Sequence, residues 1–303
     1  MVNANTPAEV EITERLVRAL LEQQCPVING TETALLSLAP FNNGWDNDIW
    51  ALGDDLLVRM PRRRAAATLI ANEQSALPLL APRLRIPVPV PVHAGVAQGD
   101  YPWKWSVVPR FPGARAAESV LADPEEEAER LAWFLRDLHT PAPQNAPHNQ
   151  YRGMGVASRG ETFREIAAVL PADELGYDAG VMHSVWSLAE SVPGWADDPV
   201  WLHGDLHTAN IIVNEGRISA VVDWGDVCSG DPACDLSVAW QLFDAEARDV
   251  FFGAYGEGAR GLHERAEAWA LLFGLVYWRA SESDPLMERM SRAVLGRIIG
   301  RDH

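Results

Sequence analysis

Apolar and polar positions along the chain fall into two regimes. In the first third they mark short strands around a single strong helix. After Ser37–Pro40 and a turn-rich stretch at 41–47, the runs Asp48–Leu52 and Leu56–Met60 flank a Gly53-Asp54-Asp55 turn and predict a hairpin. Residues 62–81 carry Leu69, Ile70, Leu77 and Leu80 at helical spacing. The Pro-rich stretch Pro87–Pro91 leads into an edge strand, and Trp105–Val108 reads as a further strand closed by Pro109. Ahead of this sheet, Thr6-Pro7-Ala8-Glu9 predicts a capped helix start, with Val10, Leu16, Val17, Leu20 and Leu21 as its apolar face to about Gln24.

Beyond Gly113 the period switches to helical. Asp123 and Pro124 open a helix with three acids in its first turn, and Leu131, Phe134, Leu135 and Leu138 form its buried face. Further helices are expected at 178–192, 232–245, 263–280 and 285–299. One β island interrupts them: Ile211–Asn214, a Glu215-Gly216 turn and Ile218–Trp224. A β-rich part followed by a helical part with one inserted hairpin is an α+β pattern. It divides the chain into residues 1–113, a sheet with one helix, and 114–303, a helical lobe.

The length, 303 residues, fits two such lobes and a core that needs no disulfide or metal to close. The longest charge-free apolar run, Ala268–Trp278, is half of what a membrane span requires. Glu9, Glu11 and Glu14 are out of place in a signal peptide. Cys25, Cys228 and Cys234 form no C-x-x-C pair and fit free thiols in a reducing cytoplasm. The net charge of −17 argues against nucleic acid as a partner. That charge is uneven. Residues 1–113 hold 10 basic and 11 acidic side chains, while 114–303 hold 15 and 31, a field that would draw a cationic ligand.

Chemistry is concentrated between Trp201 and Asp235. His203-Gly204-Asp205-Leu206-His207-Thr208-Ala209-Asn210 is followed, thirteen residues on, by Asp223 in Val221-Val222-Asp223-Trp224-Gly225-Asp226, and then by Gly230-Asp231-Pro232-Ala233-Cys234-Asp235. An Asp and an Asn on one loop, joined by a carboxylate after a tight hairpin, are the residue types that orient a hydroxyl and hold Mg²⁺ with oxygen ligands. His203 and His207 stand four apart, as zinc ligands on a helix would, but Gly204-Asp205 breaks any helix here. No Gly-x-Ser-x-Gly is present for a hydrolytic triad.

These motifs resemble those of the aminoglycoside phosphotransferase family, small-molecule kinases with a protein-kinase-like two-lobed fold. The resemblance implies Asp205 as the aspartate that accepts the acceptor's hydroxyl proton, and Asn210 and Asp223 as Mg²⁺ ligands. His203 would brace the loop, and Asp231 and Asp235 would hold the metal loop and cap the helix after it. It implies ATP or GTP as the phosphate donor and a small-molecule alcohol as the acceptor.

Upstream the match is looser. Where the family places a strand lysine on the α/β phosphates, this chain has Arg59, with Glu73 on the next helix as its partner; the single lysine, Lys104, lies elsewhere. Arginine keeps the charge and can grip phosphate with two donors. The phosphate-covering stretch 41–47 holds one glycine, Gly44, and relies on Asn42, Asn43 and Asp46 for its turn. The stretch from Val108 through Arg110 to Gly113 would be the hinge, offering backbone hydrogen bonds to the base.

The acidic second lobe tilts the acceptor towards an aminoglycoside. The segment Val58–Arg63 resembles macrolide-phosphorylating relatives and tilts it back, and an amino-sugar or alcohol metabolite stays open. Trp195, Trp240, Trp269 and Trp278 are candidates for a cleft or for core, and Glu257, Glu264 and Glu267 for a negative wall or a solvated helix face. A nucleotide-binding module without catalysis is the reading from another class, motivated by Arg59 and the glycine-poor loop.

Overall fold

The computed structural model describes residues 8–43, 47–256 and 261–300. Two compact units emerge. One takes the chain through Pro82, then 87–112 and 222–226; the other takes 83–86, 113–221 and the chain from Val227 onward.

The first unit begins with α1 (Glu14–Gln24), capped by Thr13, whose hydroxyl accepts from Leu16 N. The helix therefore starts later than the Thr6–Glu9 motif predicts; Thr6 and Pro7 lie outside the described residues. Glu9 caps a different helix, since its carboxylate accepts from Arg64 N. A short hairpin, β1 (Val27–Ile28) and β2 (Thr31–Glu32), leads to β3 (Leu38–Asn43), β4 (Asn47–Leu52) and β5 (Leu56–Pro61). Next come α2 (Arg64–Leu80), β6 (His93–Gly95) and β7 (Trp105–Pro109). The five strands form one antiparallel sheet in the order β3-β4-β5-β7-β6. Successive side chains on a strand alternate faces. Val58 and Met60 of β5 join Trp50, Leu52, Trp105 and Val107 in a core that Val17, Leu20 and Leu21 of α1 complete. Arg59, between them, points to the other face, towards α2.

The second unit opens with β8 (Ala114–Arg115) and α3 (Pro124–Leu138), whose cap Asp123 accepts from Glu126 N. α4 (Gly160–Ala167), α5 (Ala179–Ser191) and β9 (Val200–Leu202) follow, then β10 (Ile211–Asn214), β11 (Arg217–Val221) and β12 (Cys228–Gly230). The turn between β10 and β11 has Glu215 and Gly216 at φ of 51° and 78°, the left-handed pair that a two-residue hairpin needs. β8 adds a third strand beside β10, and β12 pairs with β9.

The single helix expected over 232–245 is instead α6 (Ala233–Leu236) and α7 (Val238–Leu242). Phe243 turns extended, and Asp244 accepts from Ala247 N to start α8 (Ala245–Tyr255), which the periodicity did not reveal. α9 (Leu262–Ala280) and α10 (Pro285–Ile299) close the chain. α9 is buried along most of its length; Trp269, like Trp240 of α7, is 1% exposed and belongs to the core, not to a cleft. No helix among the described residues is long and apolar enough to cross a membrane.

Candidate active site

In the first unit three charged side chains meet. Arg59, on central strand β5, is only 7% exposed. One arm of its guanidinium is ion-paired with the fully buried Glu73 of α2. Nη2 lies 2.9 Å from Asp223 Oδ1. Burial works against the Arg59 charge, but Glu73 and then Asp223 outweigh it, so the guanidinium is held more firmly protonated than a free arginine. Burial likewise pushes the Glu73 carboxyl up, and the Arg59 charge pulls it only part of the way back. Asp223 is the exposed member, its side chain 56% accessible. It lies past the end of β11, at φ 61°, a left-handed conformation uncommon for a residue with a side chain. A strand reaching Trp224 is thus not what forms: the strand stops at Val221, and Asp223 sits in a tight bend of segment 222–226.

Val108 is buried in β7, its backbone in register with Leu57. Arg110 N donates to Asp55 O at 2.8 Å, so that amide is already used, and its guanidinium lies over the Phe41 ring at 4.8 Å. Gly44 lies outside the described residues, as does Glu257.

The second unit holds the loop between β9 and β10. Asp235, fully buried at the end of α6, accepts from His203 N at 2.7 Å and from Gly204 N at 2.9 Å. His139 Nε2 is 3.3 Å from the same carboxylate, and His139 Nδ1 is 2.9 Å from the Tyr255 hydroxyl. Asp231 caps α6 by accepting from Ala233 N and forms a buried ion pair with Arg265 of α9 at 2.7 Å. Within the loop, His203 Nδ1 accepts from Asp205 N, and His207 Nδ1 accepts from Ala209 N. Both imidazoles thus stabilise local turns. Among the described residues there is no group of three or more His, Cys, Asp or Glu that could hold a metal ion.

Asp205 has partners on both oxygens. Oδ1 accepts from Arg152 Nη2 at 2.8 Å, and Oδ2 lies 3.4 Å from His207 Nε2. Burial pushes its carboxyl up, but the charges of Arg152 and His207 prevail and hold it well below the usual carboxylate range. The partners thus favour the carboxylate over the carboxylic acid. Asn210 is buried, and its amide nitrogen donates to Asp205 O at 2.9 Å. With the NH₂ committed, the carboxamide oxygen is the atom left for a cation. An amide oxygen is among the hard donors that Mg²⁺ takes beside carboxylate, water and phosphate.

Sequence reasoning missed Arg152, His139, Tyr255 and Arg265. Arg152 and Arg265 carry no motif. His139 follows the last residue of α3, and a lone histidine at a helix end gives no signal of its partner 96 residues away.

Comparison with known proteins bears on the fold and the family. The GDP and kanamycin complex of the aminoglycoside phosphotransferase APH(2")-IIIa superposes with a TM-score of 0.63 at 17% identity, covering 91% of this chain and 96% of that one. The macrolide 2'-phosphotransferase MphH of Brachybacterium faecium superposes with a TM-score of 0.59 at 22% identity, covering 92% and 97%. The fold is thus α+β and protein-kinase-like, a small β-rich part and a larger helical part carrying an inserted hairpin. The chain belongs to the phosphotransferase enzyme family, whose model matches residues 37–269. It is an enzyme of phosphoryl transfer to an alcohol. Viomycin phosphotransferase of Streptomyces vinaceus is 28% identical over 262 residues, 79% of this chain and 87% of that protein.

Proposed function

We propose that this enzyme transfers the γ-phosphate of ATP or GTP to a hydroxyl of a small-molecule antibiotic, with Mg²⁺ as cofactor and Asp205 accepting the hydroxyl proton. The observation that carries the reading is the placement of Asp205: a carboxylate about a quarter exposed, on a loop whose backbone is fixed by Asp235. A general base must be within reach of the hydroxyl it deprotonates, and this placement supports that role.

The other roles come from the chemistry of each side chain. Asn210 and Asp223 would supply oxygen ligands to Mg²⁺, which neutralises phosphate charge when bound. Arg59, kept cationic by Glu73, would grip the α/β phosphates in place of a lysine. The unit carrying Arg59, together with the hinge at about 108–113 and Gly44, would bind the nucleotide; residues 114–303 would bind the acceptor. The GDP complex of a structural neighbour supports a purine nucleotide without choosing its base. His203, Asp231 and Asp235 would shape the loop.

For the acceptor, a cationic antibiotic of the aminoglycoside or viomycin kind leads, since most of the −17 charge lies beyond residue 113. A macrolide is the second reading, favoured by the likeness to the Brachybacterium enzyme and by the Arg59 segment. The test is a steady-state screen of kanamycin, viomycin and a macrolide with ATP and GTP, with and without Mg²⁺, on native enzyme and on Asp205→Asn. Turnover with one acceptor that needs Mg²⁺ and falls on the order of 10²-fold or more in the variant is expected. Unchanged turnover in Asp205→Asn overturns the assigned base, and turnover with the macrolide alone overturns the cationic reading.

A further inference from the structure

We infer that Arg152 is a positioning residue for the phosphotransfer reaction, one that sets the orientation of the Asp205 carboxylate. The inference rests on the reading of Asp205 as the base. A carboxylate on a short side chain can rotate about two torsions, and a base is useful only while one oxygen faces the proton it will take. Here the Nη2–Oδ1 bond of 2.8 Å takes one oxygen. Oδ2 has only the longer His207 contact of 3.4 Å, and is the oxygen that would turn to the acceptor hydroxyl. Both side chains are about a quarter exposed (23% and 24%), so the pair is neither a solvated surface bridge of negligible worth nor sealed from substrate.

Arg152 is itself held. Its guanidinium carbon stands 5.0 Å from the Phe273 ring centroid on α9, a cation–π distance. The next residue, Gly153, is at φ 66°, and its carbonyl accepts from Asp231 N at 2.8 Å. A side chain at Gly230 of β12 would run into the Gly153 backbone, and one at Gly153 would meet Leu202 of β9 at 2.6 Å. Two glycines thus let the loop bearing Arg152 lie main chain against main chain on the β9–β12 pair. The loop that carries the guanidinium is anchored to the β9–β12 pair, and β9 is the strand that leads into the Asp205 loop.

The test combines kinetics with a double-mutant cycle. Arg152→Met keeps the volume and removes the donor. In it, kcat should fall at least tenfold, as expected when a reacting group is misplaced. Nucleotide Kd by calorimetry should stay within about twofold, because the contact is to Asp205 and not to phosphate. Arg152→Lys, which can still donate once to Oδ1, should recover part of the loss. In an Asp205→Asn background, Arg152→Met should add less than about twofold, since two residues acting as one unit are not additive.

A loss equally large in that background means Arg152 acts directly on phosphate or acceptor and overturns the inference. So does a kcat within twofold of native in Arg152→Met. Native turnover in Asp205→Asn itself instead overturns the function proposed above, an outcome that the single variants keep separate. Far-UV spectra and melting of each variant guard against misfolding: Arg152→Met should melt like the native protein, and a collapse that Arg152→Lys shares counts against a positioning role.

Discussion

Arg59 Nη2 and Asp223 Oδ1, 164 residues apart in sequence, lie 2.9 Å from each other. The bond ties the bend at 222–226 to the sheet of the first unit, and the same guanidinium pairs with Glu73 behind it. One arginine thus links a fully buried carboxylate to an exposed one, and removing it affects the two very differently.

Arg59→Met leaves Glu73 buried without its counter-charge. Breaking a buried pair from one side costs about 3–5 kcal/mol, whereas replacing both partners with apolar residues is often near neutral. Urea unfolding should therefore show Arg59→Met strongly destabilised and Arg59→Met/Glu73→Leu largely restored. Equal stability of the single and double variants would show that Glu73 finds another partner. Arg59→Lys should retain most stability; under the proposed phosphate-binding role it should also raise KM for nucleotide, because an ammonium does not reproduce the planar set of guanidinium donors.

Asp235→Ala removes the acceptor for two buried backbone N–H groups, His203 N and Gly204 N. Orphaned buried donors cost about 1–3 kcal/mol each. Stability should fall by that order, and amide hydrogen exchange at His203 and Gly204 should quicken more than in α9. Uniform quickening across the helices would mean the residue supports the whole unit and not the loop.

His93, on edge strand β6, packs on Trp105 with ring centroids 5.2 Å apart, and its Nε2 is buried without a hydrogen-bond partner. Burial pushes its pKa below the ordinary 6.5. The unfolded chain therefore binds a proton more readily than the folded one. The stability this group contributes is intact above 6.5 and is lost as pH falls through the folded pKa. His93→Phe should flatten the decline in urea midpoint as pH falls below 6.5. Parallel curves for the two proteins would assign the decline to other groups.

Much of this was legible in the residues. Asp123-Pro124 announced α3, and the Glu215-Gly216 turn announced its hairpin, because caps and tight turns are decided within a few positions. The same local logic misled at Thr6-Pro7-Ala8-Glu9. Thr13 offers a cap nearer the apolar face, and Glu9 satisfies a helix 55 residues away. The three-residue strands 200–202 and 228–230 are too short to show alternation. The loop of His203, Asp205 and Asn210 stood out because several chemistry-bearing residues cluster in eight positions. Arg152 did not, since its partner is 53 residues off and a loop arginine has no period to betray it.

The meeting of Gly153 with Gly230 has a consequence for how this scaffold can vary. A side chain at Gly230 cannot be accommodated without moving the Gly153 main chain, whereas positions 143–151 lie outside that close approach. Exchanging residues there leaves the main-chain contact itself intact. A library randomised over 143–151 should keep turnover in far more clones than one randomised at either glycine.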